Sequence, residues 1–222
     1  HPMLTILKPQ MVDGLINTML RIYKEQGKLP VWHLSGNETN TMVGYSAVPV
    51  IVDAWKKGFH GFDADLAYDA IKHSSMQSGN GIQYIRRLHY IPADSINESV
   101  AKALEYAISD GCISMMAEGL GHEGDASYYE KRSKMYAQYY DPETRFMRGK
   151  MADGSWRGDF SPFEAKHREN DYCEGNAWQY TWLAPQDAKG LIELLGGPAL
   201  FEAKLDSLFV VTGDMGENAS VD

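Results

Sequence analysis

PQMVDGLINTMLRIYKEQ, residues 9–26, is the stretch that decides the fold. Its apolar residues recur three and four positions apart, which places them on one face of an α-helix. They are Val12, Leu15, Ile16, Met19, Leu20, Ile22 and Tyr23. Pro9 suits the first turn of a helix, and Gly27 suits its end. The stretch therefore predicts an amphipathic helix with one face in a core.

Three further helices follow from the same periodicity. Residues 45–57 are apolar on nearly every side, so this helix should be buried on more than one face. Asp63 is expected to cap the next helix, because its carboxylate can accept the first backbone N–H groups. Asn97 or Ser99 should open a long helix that continues or kinks near Gly111.

The second half of the chain predicts three more helices. Ser127 and Glu130 have the spacing of a capping box and are expected to open the first of them. Two shorter helices are predicted at about 186–195 and 198–209, with the break at 196–198, which reads Gly-Gly-Pro.

Strand-like alternation is scarce, so the sequence predicts an all-α chain of about seven helices. The longest connections, at 27–44, 76–96 and 141–185, are rich in aromatic residues. Loops of that length in a compact domain are more often functional than structural. Helix pairs occur without a recurring residue signature, which favours paired antiparallel helices in a toroid over a repeat solenoid.

Composition excludes several classes of function. The 222 residues carry 21 Lys and Arg against 30 Asp and Glu, a net charge of −9 that disfavours a nucleic-acid partner. No segment approaches the roughly 20 apolar residues of a membrane span. Cys112 and Cys173 have no CxxC companion, so buried free thiols are expected rather than a zinc site or a disulfide framework.

Two loop segments combine a carboxylate, an amide side chain, a glycine and an indole. They are LPVWHLSGNETNTMVGY, residues 29–45, and DYCEGNAWQYTW, residues 171–182. Aromatic faces can stack on the apolar face of a pyranose, while carboxylates and amides bind its hydroxyl groups. This composition points to sugar recognition.

These two segments resemble blocks of glycoside hydrolase family 92. Three more blocks occur in the same order: EYA at 105–107, YDPETRFMRG at 140–149, and the stretch from GLI at 190–192 to LD at 205–206. The resemblance runs over almost the whole chain. It implies a calcium-dependent, inverting exo-α-mannosidase that acts on mannose-containing glycans, and α-1,2 linkages are the expected substrate.

The resemblance also implies an architecture. Members of the family have a β-sandwich followed by an (α/α)6 toroid, and residues 1–222 match only part of the toroid. The expectation is a single partial catalytic domain, with the β-sandwich and the rest of the toroid absent. Surfaces left open in this way could make homo-oligomer contacts. The parent protein is expected to be secreted, periplasmic or on the cell surface of a bacterium.

On this resemblance Glu174 corresponds to the general acid of the family, and the catalytic base lies beyond Asp222. Calcium ligands are expected mostly outside this chain. The residues expected to bind substrate are Trp32, Asn37, Glu38, Asn176 and Trp178. Without the resemblance, Glu174 could be a first-turn acid favoured by a helix dipole, and the tryptophans could be core residues.

Two alternatives stay open at the level of sequence. An all-α chain with tyrosine-rich helix faces could be a scaffold for protein interactions. It could also belong to another (α/α)6 glycosidase, which would place carboxylates in loops at the same mouth. The polar and aromatic loops favour an enzyme, since a scaffold does not require them.

Overall fold

The computed structural model describes residues 1–166, 168–216 and 219. Slightly more than half of these residues lie in α-helices or 3₁₀ turns. The helices are α1 (Pro2–Leu7), α2 (Val12–Gln26), α3 (Ala47–Lys56), α4 (Ala64–Met76), α5 (Ile82–Leu88), α6 (Ser99–Gly119), α7 (Glu123–Ser133), α8 (Ala177–Tyr180), α9 (Ala188–Leu194) and α10 (Pro198–Leu208). Short 3₁₀ turns precede α2 and α9, at Pro9–Met11 and Pro185–Asp187, and a third follows α7 at Met135–Tyr139.

The strands of the described chain form only two small hairpins. The first pairs β1 (His33–Leu34) with β2 (Asn37–Glu38), and the second pairs β3 (Tyr140–Asp141) with β4 (Phe146–Met147), both antiparallel. Each strand is two residues long, so the hairpins shape loops and do not form an extended sheet. The prediction of a helical fold is confirmed.

Most of the predicted helices lie where local signals placed them. The stretch 9–26 forms a 3₁₀ turn and α2, which ends at Gly27 with φ of 71°. Asp63 caps α4 by accepting a hydrogen bond from the Leu66 N–H at 3.0 Å. Ser99 opens α6, which continues through Gly111 as one helix. These boundaries depend on neighbouring residues, which is why sequence could locate them.

One predicted boundary was wrong, and three helices were missed. Ser127 and Glu130 do not open a helix, because α7 already begins at Glu123. The chain leaves α6 through a turn at Gly121 with φ of 81°, and the first turn of α7 follows directly after this residue. The unpredicted helices α1, α5 and α8 have only four to seven residues, which is at most about two turns.

The chain packs as two compact units. The first comprises His1–Ser78 and Ile108–Ser133. Within it α2, α3 and α4 pack against one another and bury Ile16, Ile51 and Ile71 completely. Burial of each such side chain is worth roughly 1.5 to 3 kcal/mol relative to exposure.

The second unit comprises the described residues of 79–107 and 134–222. Its core includes Leu104 on the first half of α6, Met147 on β4 and Tyr139, all fully buried. The Tyr139 hydroxyl accepts a hydrogen bond from the Ile91 N–H at 2.6 Å, which fixes the chain that leads towards α6. This unit carries the segment 171–182 and therefore positions Glu174.

Three further features concern the surface and the thiols. No described helix has both the length and the apolar character that would let it cross a membrane. Both cysteines are free thiols, with Cys173 buried as expected and Cys112 only partly buried. Ile6, Phe209 and Val210 are each 78% exposed. Oligomer contacts through such apolar surfaces stay a prediction.

Candidate active site

The backbone of Glu174 adopts the left-handed conformation, with φ of 50°. For a residue with a side chain this conformation costs roughly 1 to 2 kcal/mol. Such strain persists only where the surrounding contacts impose it, and it concentrates at active sites and ligand clamps. The neighbours of Glu174 therefore decide whether the strain is incidental or imposed.

Upstream of Glu174, Asp171 joins the loop to the start of α6. Its carbonyl accepts hydrogen bonds from the Val100 and Ala101 N–H groups, both at 3.0 Å. Its carboxylate accepts a hydrogen bond from the Ser99 hydroxyl at 2.9 Å and pairs with Arg157 at 2.9 Å. Burial raises the pKa of Asp171, against the opposing effects of Arg157 and Ser99. This loop thus provides hydrogen-bond acceptors for backbone N–H groups in the first turn of α6.

Downstream of Glu174, Asn176 caps α8. Its side chain accepts a hydrogen bond from the Gln179 N–H at 3.3 Å, and the Gln179 side chain accepts one from the Asn176 N–H at 3.0 Å. This reciprocal pair is a capping box. The amide of Asn176 also donates to the Phe163 carbonyl at 3.3 Å. The side chain of Asn176 is therefore engaged in holding the loop.

Glu174 itself is partly exposed, and its carboxyl group has no hydrogen-bond or ion-pair partner among the described residues. The preceding residue, Cys173, is buried. Burial, followed by the negative charges of Glu98 and Glu174, raises the pKa of the Cys173 thiol to about 12. A thiol in that state is a poor nucleophile. The free acidic group of the loop is therefore Glu174.

Two more carboxylates, both partly exposed, lie on one face of α6 and of the residue before it. Glu98 immediately precedes the helix and pairs with Lys102 at 3.1 Å, with both side chains largely buried. Glu105 lies about two turns beyond Glu98, and burial raises the pKa of Glu105. In the described part of the chain Glu105 has no ion-pair partner. Burial raises the pKa of Tyr180 in α8, and the charges of Glu105 and Glu98 add to this increase.

Neither Glu98 nor Glu105 was singled out from the sequence as a site residue. A signal was present, because Glu98, Lys102 and Glu105 share one helix face while almost every residue between them is apolar. Charged residues in an otherwise buried helix indicate a cleft or a structural ion pair. Sequence alone does not distinguish these two roles.

The other candidate loop is the β1–β2 hairpin of the first unit. His33 is paired with Glu38 and Leu34 with Asn37, and the turn residues Ser35 and Gly36 have φ of 54° and 77°. Two successive positive φ values are typical of a type I′ turn. Asn37 is exposed on this hairpin. Its side chain is therefore accessible to a ligand.

The carboxylate of Glu38 holds the hairpin together. It accepts hydrogen bonds from the N–H groups of Val31 at 2.9 Å, Trp32 at 3.0 Å and Asn40 at 2.6 Å. Burial alone would raise the pKa of Glu38, but these backbone hydrogen bonds and the nearby His33 lower it. The carboxylate is therefore ionised and its oxygens are already occupied.

The two indoles proposed as sugar contacts have different surroundings. Trp32 is 47% exposed beside the hairpin. Trp178 is packed by Phe146 at 4.8 Å and Phe163 at 6.1 Å between ring centroids, and the Lys204 ammonium lies 4.7 Å from its ring. Its buried indole N–H has no partner among the described residues. Trp32 has the more accessible ring face.

An open recess of about 330 Å³ lies beside α8 in the second unit. Its walls include Asn176, Trp178 and Phe163 together with Leu208, the last residue of α10, and Met215, which follows that helix. Two of the predicted substrate residues are thus brought together here. Glu38 and Trp32 belong to the first unit, and a shared site with Glu174 stays a prediction.

No cluster of acidic side chains in the described part of the chain indicates a calcium site. Calcium takes about six to eight oxygen ligands. Within residues 1–166, 168–216 and 219, no group of three or more His, Cys, Asp or Glu side chains could hold a metal ion. Glu98 is paired with Lys102, and Asp171 with Arg157.

Comparison with known proteins identifies relatives of the whole chain. The family profile described as the glycosyl hydrolase family 92 catalytic domain matches residues 1–222. An uncharacterized secreted glycosidase from Arthroderma benhamiae is 27% identical to this chain, and the alignment covers 86% of this chain and 29% of that protein.

Two solved structures are more similar. The family GH92 α-mannosidase BT3965 from Bacteroides thetaiotaomicron, in complex with mannoimidazole, is 38% identical and superposes with a TM-score of 0.91. The alignment covers 96% of this chain and 29% of that one. The family GH92 inverting mannosidase BT2199 from the same species is 35% identical, with a TM-score of 0.88 over 96% of this chain and 30% of that one.

These matches confirm the predicted fold class, since structures of this family have an (α/α)6 toroid of helices. The chain spans less than a third of the length of each of these relatives.

Proposed function

Because the chain belongs to the glycosyl hydrolase family 92 catalytic domain, we propose that it forms part of an exo-acting α-mannosidase. In this proposal the complete protein removes terminal, non-reducing α-linked mannose from glycans with inversion of configuration. Two relatives that are described as α-mannosidases or mannosidases support the choice of sugar. The α-1,2 linkage remains the proposed preference.

Glu174 is the proposed general acid. Cleavage of the bond between the anomeric carbon and the glycosidic oxygen leaves that oxygen with an electron pair, which takes the proton of Glu174. A water molecule attacks the anomeric carbon from the opposite face and gives its proton to a base. In inverting enzymes the two carboxyl groups stand about 6.5 to 9.5 Å apart, which leaves room for that water. The base is proposed to lie outside this chain.

The observation that carries this proposal is the state of the loop around Glu174. Asp171 and Asn176 are fastened on either side, whereas the carboxyl group of Glu174 has no partner in the described chain and its backbone is strained. A rigid loop that presents one free acid is the arrangement that general acid catalysis needs. A purely structural acid would be expected to cap a helix or pair with a cation.

The proposed substrate residues act in two ways. Trp32 and Asn37 are accessible and are proposed to contact the sugar directly, Trp32 by stacking. Glu38, Asn176 and Trp178 have engaged side chains and are proposed to shape the site through the loops that they hold. In this proposal these three residues contribute to substrate binding by fixing the positions of the loops.

Calcium is proposed to be required by the complete protein. The support is membership of a family that is generally calcium-dependent. Since the described residues offer no grouped ligands, most ligands are proposed to come from outside this chain. Export from the cell is also proposed, because one relative is described as secreted.

Binding of matched inhibitors tests the proposal. The complete protein that contains this chain should bind mannoimidazole in calorimetry and bind the corresponding glucose-type imidazole at least about tenfold more weakly, a difference of about 1.4 kcal/mol. Tighter binding of the glucose-type inhibitor would favour another (α/α)6 glycosidase. Failure to bind either compound would favour a non-catalytic scaffold.

A further inference from the structure

Tyr180 contacts the chain on both sides of Glu174. Its hydroxyl donates a hydrogen bond to the Cys173 carbonyl at 2.7 Å, in the peptide group that directly precedes Glu174. Its ring edge lies against Gly175, where an added Cβ would stand 3.1 Å from Tyr180 Cε2. One side chain thus fixes the peptide before Glu174 and limits the space available after it.

This contact can hold the strained backbone conformation of Glu174. A φ of 50° at a non-glycine residue relaxes unless its flanking peptide groups are held. The upstream anchors of the loop are at Asp171 and Tyr172, whose hydroxyl donates to the Met147 carbonyl at 2.6 Å. Neither acts on the Cys173–Glu174 peptide group. Among the described residues, the hydroxyl of Tyr180 is the side-chain donor to that peptide group.

Tyr180 is itself well placed to act as a fixed donor. It ends α8, whose N-terminus is capped by the reciprocal bonds of Asn176 and Gln179. Its ring packs on Tyr172, with 5.5 Å between ring centroids. Burial, followed by the charge of the Cys173 thiol group itself, raises the pKa of Tyr180, so the hydroxyl keeps its proton throughout the neutral range.

We propose that Tyr180 is a positioning residue that holds the Glu174 carboxyl group where it can protonate the glycosidic oxygen. The inference rests on the proposed function, in which Glu174 is the general acid. It does not require Tyr180 to touch the substrate. Loss of the hydroxyl should therefore weaken the proton donation of Glu174 and leave substrate binding unchanged.

The test is Tyr180→Phe in the complete protein, which removes one hydroxyl and keeps the ring. Two substrates are compared: a mannose disaccharide, whose leaving group needs a proton, and an activated aryl mannoside, which departs without one. A misplaced catalytic group can cost up to about 100-fold in rate. We expect kcat on the disaccharide to fall about tenfold, kcat on the aryl mannoside to fall less than threefold, and KM to stay the same.

Tyr136→Phe is the matched control. It also removes a phenol hydroxyl from the second unit, one that donates to Asp187 at 2.9 Å, and it should leave both kcat values unchanged. The double variant Tyr180→Phe/Glu174→Gln should be no slower on the disaccharide than Glu174→Gln alone, because the two residues act through one proton.

The outcomes separate the inference from the proposed function. If Glu174→Gln shows the selective loss on the disaccharide but Tyr180→Phe matches Tyr136→Phe, the positioning role of Tyr180 is wrong and the general acid stands. Equal losses of Tyr180→Phe on both substrates, or a double variant slower than Glu174→Gln, would also overturn the inference. If Glu174→Gln has no selective effect, the proposed function fails first.

Discussion

Arg132 and Asp110 form a two-point ion pair in the core of the first unit. Arg132 Nε lies 2.8 Å from one carboxylate oxygen of Asp110, and one terminal guanidinium nitrogen lies 2.8 Å from the other. Each side chain is only 1% exposed. The Tyr45 hydroxyl donates to the same carboxylate at 2.6 Å. The pair therefore joins the loop before α3 to α6 and α7.

Removal of one partner of this pair should be costly. Asp110→Asn leaves the buried guanidinium without its counter-charge, and breaking a buried pair in this way costs roughly 3 to 5 kcal/mol. Urea denaturation of the complete protein, followed by far-ultraviolet circular dichroism, measures the loss. Lys189→Ala is the control, because the Lys189–Glu193 pair is exposed and should contribute less than about 1 kcal/mol. Similar losses for both variants would show that the buried pair is not a special source of stability.

A substitution at Gly149 should test the anchor of the Glu174 loop. A Cβ added there would lie 1.9 Å from a carboxylate oxygen of Asp171, which is held by Ser99 and Arg157. Gly149→Ala must displace that carboxylate, so we expect a loss of about 1 to 3 kcal/mol and a drop in activity.

Gly14→Ala is the matched control for Gly149→Ala. Gly14 lies inside α2 with no atom within 4 Å of an added Cβ, so this change should stabilise by about 0.5 to 1 kcal/mol. Unfolding free energies and kcat/KM of both variants check the prediction. An active, fully stable Gly149→Ala protein would contradict the role given to Asp171.

The Glu38 hairpin should be sensitive to charge. Glu38→Gln replaces one carboxylate oxygen by an NH₂ group, which loses either the bond from Val31 or those from Trp32 and Asn40, and the oxygen that remains no longer carries a charge. Amide hydrogen exchange of these three residues should speed up by about tenfold or more, since charge-assisted bonds of this kind are worth roughly 1.5 to 3 kcal/mol. Because Trp32 would lose its fixed position, KM should rise more than kcat falls.

The pH dependence of the hairpin follows from the lowered pKa of Glu38. The ionised carboxylate stabilises the hairpin at any pH above 4.5, the ordinary pKa of a glutamate. This contribution is lost as the pH falls through the lower pKa that Glu38 has in the folded protein. Exchange protection, corrected for intrinsic rates, should therefore decline on acidification in the wild type but not in Glu38→Gln. Glu25→Gln, at an exposed position of α2, should behave as the wild type does. Equal protection of Glu38→Gln and the wild type at neutral pH would refute the structural role of this carboxylate.

Sequence predicted what local patterns determine. The amphipathic stretch 9–26 and the cap at Asp63 depend on residues a few positions apart, and both are confirmed. Ser127 failed because a capping-box pattern is also compatible with a helix interior, and the turn at Gly121 decides where α7 begins.

The candidate site could be predicted only in part. The resemblance pointed to Glu174, but the residues that hold its loop are distant in sequence. Ser99 and Asp171 are 72 positions apart, and no periodicity links them. The role proposed for Tyr180 likewise follows from a contact with the Cys173 carbonyl that the sequence does not show.

The most direct test of the account is Glu174→Gln in the complete protein. Glutamine keeps the size of the side chain but cannot donate a proton to the leaving oxygen. Positioned acid catalysis is worth about 10² to 10⁴ in rate, and an activated leaving group does not need it.

The measurement is kcat/KM of wild type and Glu174→Gln on a mannose disaccharide and on an activated aryl mannoside. The account predicts a loss of at least about 100-fold on the disaccharide and of less than about tenfold on the aryl mannoside. Equal losses on the two substrates would contradict it and would make Glu174 a sugar-binding or structural residue.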